Sequence, residues 1–232
     1  MTDQRERILG CACELYLKDG LEGFSMRKLA RSVGVTAPAL YRHYESKEEV
    51  LVEVVRDAYR RLSGHLYRAL EGRTPEERFV LAGRGYLDFA LETPRLYDVL
   101  FASPDQLGSE GLPAEVTDQA CAIGQFWNDR VRECMDAGIL RRADPGDVSV
   151  TMWAHAHGLL TLYLRGMLRA DESEVRELYG SSFRRLLTGL AEPEGIAALG
   201  RAAGREPDGE TAGAEPRSAA AEQERTLERR AG

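Results

Sequence analysis

The chain has 232 residues, 43% hydrophobic and 30% charged, with a formal net charge of −7; this suits one substantial globular domain or two small ones. No apolar run reaches the ~18–20 residues of a membrane span, and the opening MTDQRERILG lacks the apolar core of a signal peptide, so a cytoplasmic protein is expected. Four irregularly spaced cysteines read as reduced packing thiols, with nothing to support a redox switch, and two Trp and six Phe leave Leu and Ala to build most of the core, which favours helices.

Gln4 to Lys18 is predicted as the first helix, with Ile8, Ala12 and Leu15 on one face. Asp19-Gly20 turns the chain, and Phe24 can pack back. Gly23 to Lys47 then reads as two short helices joined by a tight turn. Ser25 can cap the first and Thr36 the second. Gly34 can take the positive φ that closes a helix. Leu29, Ala30, Val33, Val35 and Leu40 are spaced to share a small core, leaving Ala37, Ala39, Arg42 and His43 outward. Such a helix-turn-helix offers its second helix to a DNA major groove. Five basic residues stand against Glu45 alone in this stretch, a net of +4 in an acidic chain, which suits a phosphate backbone at one place. Pro38 falls in the first turn, where a missing amide costs little. Small Ala37, Pro38 and Ala39 allow close entry to the groove and contact with a thymine methyl. Arg42 can bind guanine bidentately or a phosphate. Tyr41, His43 and Tyr44 add polar and stacking groups at the helix end.

The run F-S-M-R-K-L-A-R-S-V-G-V-T-A-P-A-L-Y-R-H-Y-E-S-K, followed by Glu48-Glu49-Val50-Leu51, resembles the DNA-binding domain of the TetR family of bacterial transcriptional regulators. The resemblance covers about the first quarter of the chain. It implies that Tyr41, His43 and Lys47 grip phosphates, that Arg27 contacts DNA, and that the first helix braces the other two. The expected DNA-binding set is Ser25, Arg27, Thr36, Ala37, Pro38, Ala39, Tyr41, Arg42, His43 and Lys47. Packing within the three-helix unit is the alternative for Tyr41 and His43. A solvated face is the alternative for Arg27, Lys28, Arg31 and Lys47.

Ser46-Lys47-Glu48-Glu49 has the form of a capping box and opens a helix to about Gly72, with Val50, Leu51, Val54, Val55, Ala58, Leu62, Leu66 and Leu70 as its buried stripe. This helix belongs to both halves of the protein. Thr74-Pro75-Glu76-Glu77 is a second capping box, opening a helix to about Leu91, and Thr93-Pro94 restarts a short one through Phe101. Residues 103–113 read as a loop, and 114–138 as a helix. Asp144 caps a helix to about Leu168, in which Trp153 and His157-Gly158 resemble the W…HG signature of a TetR C-terminal class, the WHG domain. That helix is apolar nearly all round and needs cover on more than one side. Residues two apart on a helix diverge, so His155 and His157 are not expected to share a metal; they read as core or hydrogen-bonded histidines, with His155 also a possible polar contact for a ligand. Asp171-Glu172-Ser173-Glu174 starts the last helix, to about Ala191, amphipathic through Val175, Leu178, Tyr179, Ser182, Phe183, Leu186, Leu187 and Leu190.

The chain therefore reads as all-α: a three-helix DNA-binding domain over 1–46, a helical regulatory and dimerisation domain over 47–192, and a disordered tail over 193–232. Tyr86, Phe89, Tyr97, Phe101, Phe126, Trp127, Met152 and His155 are the expected ligand-binding residues, with ordinary core packing as the alternative. The expected function is a ligand-responsive repressor, dimeric through its last two helices on a palindromic operator and released by a small lipophilic effector. A DNA-binding dimer without a ligand, and an activator, are the other readings. No Ser/His/Asp order, phosphate loop or metal-ligand spacing points to an enzyme, and no cofactor or membrane partner is expected.

Overall fold

The computed structural model describes residues 2–101 and 113–204. Among these lie ten α-helices and no strand beyond one antiparallel bridge, Leu140 to Ala191, so the all-α expectation holds. They run α1 (Thr2–Gly23), α2 (Met26–Val33), α3 (Ala37–Tyr41), α4 (Lys47–Tyr67), α5 (Pro75–Glu92), α6 (Pro94–Leu100), α7 (Ala114–Asp136), α8 (Pro145–Leu164), α9 (Glu172–Leu190) and α10 (Pro193–Ala202). Helix α1 breaks at Gly20, where φ is 65°. Residues 103–112 of the expected loop, and 205–232 of the expected tail, lie outside the described residues.

Helix starts follow local chemistry. Thr36 Oγ1 accepts from the Ala39 amide at 3.3 Å, Ser46 Oγ from Glu49 at 3.1 Å, and Asp144 Oδ1 from Asp147 at 3.0 Å. Each such cap contributes about 0.5–2 kcal/mol. The reciprocal half of the two expected capping boxes is displaced. Glu49 and Glu77 accept from the amides of Glu45 and Arg73, one residue before the cap, so the carboxylates tether the incoming chain. Only at Asp171, among the helices described, do both halves close on one residue pair.

Three apolar clusters carry the packing. The first joins α1, α2, Leu40 and Tyr44 to the first half of α4, and takes in Val99 of α6 and Val116 of α7. The second gathers the rest of α4 with α5, Tyr97, Phe126, Leu160 and Tyr179. The third joins the ends of α7 and α9 to the start of α8 and to Leu199 of α10. Helix α6 is the joint: Val99 belongs to the first cluster and Tyr97 to the second, each about 1% exposed.

Two expectations are corrected. The long helix gives way after Tyr67 to a 3₁₀ turn, Arg68–Glu71, and Leu70, placed in its buried stripe, is 56% exposed, because the tighter winding rotates that position off the core. Residues 193–202, placed in the tail, form α10. The helix docks because a Cβ at Gly195 would fall 2.1 Å from the Ile139 carbonyl oxygen; glycine alone permits that approach, and Leu199 then buries in the third cluster.

Helices α4 and α5 meet as closely. A Cβ at Gly85 would lie 2.5 Å from the His65 carbonyl oxygen, whereas one at Gly180 meets nothing within 4 Å. Gly85→Ala is therefore expected to lose about 1–3 kcal/mol in urea denaturation through overpacking. Gly180→Ala is expected to gain about 0.5–1 kcal/mol from helix propensity.

Candidate functional site

The helix-turn-helix presents a built surface. Gly34 closes α2 with φ 81°, and the amides of Gly34 and Val35 both donate to the Ala30 carbonyl, at 3.0 and 2.9 Å, the left-handed C-cap arrangement. Helix α3 is short and is pinned from below by Leu40, 1% exposed. Around it Arg27, Thr36, Pro38, Tyr41, Arg42 and His43 are exposed, and Ser25, Ala37, Ala39 and Lys47 are half-buried. The side chains of Arg27, Arg31, Tyr41, Arg42 and His43 make no hydrogen bond or ion pair among the described residues. Their charges and donors face solvent uncommitted.

Other members of the stretch have structural duties. Ser25 Oγ accepts from the Lys28 amide at 3.3 Å. Lys28 Nζ donates to Asp19 and to the Gly23 carbonyl, both at 2.8 Å, clamping α2 to α1 and holding the Asp19 carboxyl below its usual range. Tyr44, expected among the outward groups, is buried at 6% exposure. It lies one turn beyond Leu40 on the same side of the segment, so the core claims it.

A second feature is a cavity of about 440 Å³ between α5, α7, α8 and α9, closed on one side by α10. Of the eight expected ligand residues, Tyr86, Trp127 and Met152 line it. Phe89 and Tyr97 lie wholly in the core. Phe101 packs on Tyr97 and His157, and Phe126 lies between Tyr67 and the Arg130 guanidinium. His155 hydrogen-bonds Ser182 at 3.0 Å and meets Phe183 edge-on. Sequence reasoning missed Leu87, Trp153, Tyr179 and Phe183 as wall residues, and Arg84, Asp88, Arg176 and Arg184 at the polar edge. The residues on α9 belong equally to an amphipathic stripe, which periodicity alone assigns to packing. A usable signal was Gly83 and Gly180, mid-helix glycines whose missing Cβ faces open space.

A chain of hydrogen bonds leads away from this cavity. Trp153 Nε1–H donates to Tyr86 Oη at 3.2 Å, Tyr86 donates to Tyr97 Oη at 3.3 Å, and Tyr97 meets His157 Nδ1 at 2.7 Å. His157 Nε2 lies 3.4 Å from Thr161 Oγ1. With each phenol used once as donor, Nδ1 must accept, so the network assigns a neutral imidazole with its proton on Nε2. Burial, and then the Arg165 charge, lower the His157 pKa, which keeps it in that state. Burial pushes the Tyr97 phenol up to about 12. Trp153 and His157 of the W…HG pattern are thus the two ends of one relay. His155 points elsewhere, so the two histidines engage separate partners.

Two family models match the chain. Residues 8–54 match that described as bacterial regulatory proteins, tetR family, and residues 79–190 that described as Tetracyclin repressor-like, C-terminal domain. The HTH-type transcriptional regulator Mb1846 of Mycobacterium bovis is 25% identical over 223 residues, covering 82% of this chain and 95% of that protein. The HTH-type transcriptional repressor KstR of Mycolicibacterium smegmatis is 26% identical over 199 residues, covering 83% and 91%. Among solved structures, AibR in complex with isovaleryl coenzyme A and operator DNA superposes with a TM-score of 0.64 at 20% identity, covering 77% of this chain and 97% of that one; at that identity the likeness is one of fold.

The relay carries a pH dependence with a definite sign. The folded pKa of His157 lies below its unfolded value, so the unfolded chain binds the proton more tightly. Stability is full above about pH 6.5 and falls as pH drops from there through the folded pKa. His157→Asn keeps an oxygen acceptor for Tyr97 and cannot titrate. Melting curves between pH 7.5 and 5.5 should show a steeper loss for the native protein than for the variant.

Proposed function

The chain belongs to the TetR family of bacterial regulatory proteins, and on that premise we propose a homodimeric repressor released from a near-palindromic operator by a small lipophilic molecule. The carrying observation is the uncommitted face of Arg27, Tyr41, Arg42 and His43 around α3, on a chain of net charge −7. Phosphate contacts position such a helix and side-chain contacts to base edges specify the sequence. Arg42 takes the base-reading role, with Ala37, Pro38 and Ala39 close to the groove floor. Arg27, Tyr41, His43 and Lys47 hold the backbone.

Dimerisation through α8 and α9 is supported by what one copy leaves uncovered. Val150 is 60%, Trp153 45%, Leu162 43% and Leu178 37% exposed, and a Cβ at Gly158 would meet nothing within 4 Å. Two such helix pairs packed about a two-fold axis form a four-helix bundle, and a palindromic operator asks that dimer to hold its two α3 helices about 34 Å apart, one turn of DNA.

The cavity is the effector site in this reading. Tyr86 and Trp153 in its wall are bonded through to Tyr97 on α6, and α6 packs on α1 and α4, with Arg95 paired to Glu14 of α1. A molecule that displaces Tyr86 or Trp153 therefore acts on the helix joining the two halves. It shifts the equilibrium only by its difference in affinity for the two states. KstR is named a repressor, and AibR was solved with both an acyl thioester and operator DNA, which supports a repressor that answers to a small molecule.

Arg42→Ala should weaken binding to the intergenic DNA beside its own gene by about 1–3 kcal/mol with an unchanged melting temperature. Lys28→Ala should instead lower the melting temperature by separating α2 from α1. Fluorescence anisotropy at fixed salt separates the two, and absence of any native complex at low salt would sink the proposal.

A further inference from the structure

The wall of the cavity is apolar through Phe79, Leu87, Trp127, Val131, Met152 and Leu199, but its edge is not. Helices α5 and α9 run antiparallel there: Arg176 donates to Asp88 at 2.6 Å, and the Tyr179 hydroxyl donates to the Gly83 carbonyl at 3.2 Å. The charged lining residues are Arg84, Arg176 and Arg184 against Asp88 alone. Asp88 is committed to Arg176, which also binds Glu172 at 3.0 Å. Arg84 and Arg184 are left without a carboxylate. The Arg84 side chain donates only to the Ala203 carbonyl, at 2.6 Å, and the Arg184 side chain has no hydrogen bond or ion pair among the described residues. Inside the cavity Ser149 is 8% exposed, and its hydroxyl has no hydrogen-bond partner. Both arginines are exposed at the cavity mouth, where water reaches them, whereas a purely hydrocarbon occupant would leave the buried Ser149 hydroxyl unpaired.

We propose that the cavity binds an amphiphilic carboxylic acid, its apolar body between α5, α7 and α8 and its carboxylate held at the edge by Arg84 and Arg184. This deepens, and rests on, the reading of the cavity as the effector site. A cavity of about 440 Å³ lies within the size range of small-ligand pockets, and a medium-chain acid suits it. A nucleotide-bearing head group is too large to share that space and would have to remain outside. Guanidinium matches carboxylate in planar, two-point geometry, and Ser149 is left to hydrogen-bond an oxygen on the buried part of the ligand.

The two tryptophans of the chain, Trp127 and Trp153, both line the cavity, so intrinsic fluorescence of the full chain reports occupancy. The probes are dodecanoate, dodecan-1-ol and dodecanoyl coenzyme A, each titrated with and without bound operator DNA. Dodecanoate is expected to bind about tenfold more tightly than the alcohol, the margin of a charge-assisted pair. Arg184→Gln, which breaks no side-chain hydrogen bond or ion pair among the described residues, should take at least half of the acid's margin over the alcohol, on a logarithmic scale, and leave the alcohol unchanged. If the alcohol binds as tightly as the acid, the carboxylate inference is overturned while the effector site stands. If the thioester binds more tightly than the acid and Arg184→Gln has no effect, the anion lies outside the cavity and the inference also fails. If the acid binds as expected but never releases operator DNA, the ligand class stands and the effector reading falls. If no probe perturbs the tryptophans, both fall together.

Discussion

The hydroxyl of Tyr97 is the point on which the two halves of the molecule agree. It belongs to a side chain 1% exposed, set on a seven-residue helix between two apolar clusters. A buried phenol must find hydrogen-bond partners or forfeit its hydration, a cost of about 1–3 kcal/mol. Here the partners come from different elements: Tyr86 on α5 as donor and His157 on α8 as acceptor. Satisfying one oxygen therefore fixes three helices relative to each other. The direction of the bonds also dictates the charge state of His157, since an imidazolium offers no acceptor to the phenol.

From that joint the structure extends in two directions. Toward the N-terminus, α6 places Val99 in the cluster that holds α1, α2 and α4 together, and α4 runs from the foot of the helix-turn-helix into the middle of the body. Toward the C-terminus, Tyr86 and Trp153 stand in the wall of the cavity. Packed helices are not continuously deformable, so a displacement at one end of such a chain is passed on as a change between discrete arrangements. The short α3 has no stability of its own at five residues. Its rigidity is borrowed from Leu40, Tyr44 and the Thr36 cap.

Charge is partitioned rather than balanced. Lys28 spends its ammonium on Asp19 and the end of α1, whereas Arg27, Arg31 and Arg42 keep theirs for solvent. Arg5, Glu53, Arg56 and Glu115 form a network between α1, α4 and α7. Exposed pairs of this kind contribute about 0–1 kcal/mol each, so they orient the helices more than they stabilise them. At the cavity edge Arg84 and Arg184 likewise lack a carboxylate partner, whereas Arg176 beside them holds Asp88 and Glu172.

The sequence by itself determined most of the helix-turn-helix: where α2 begins and ends, where α3 begins, that Gly34 turns between them, and that Arg27, Arg42 and His43 point outward; it did not show that α3 stops at Tyr41 and that Tyr44 turns into the core. The features it determined depend on contacts three to five residues apart, such as caps, a left-handed glycine and an apolar stripe, and local spacing encodes them. It also located the W…HG residues without explaining them, because the partners of Trp153 and His157 lie 67 and 60 residues away. Only the tertiary structure decided which aromatic rings face a cavity and which fill a core, since helical periodicity marks a buried face but not what is packed against it. Phe89 and Tyr97 look no different in sequence from Tyr86. Nor could composition show that 193–202 would fold: α10 is held by Gly195 against a carbonyl more than fifty residues earlier, a close approach that exists only once α7, α8 and α9 have been brought together.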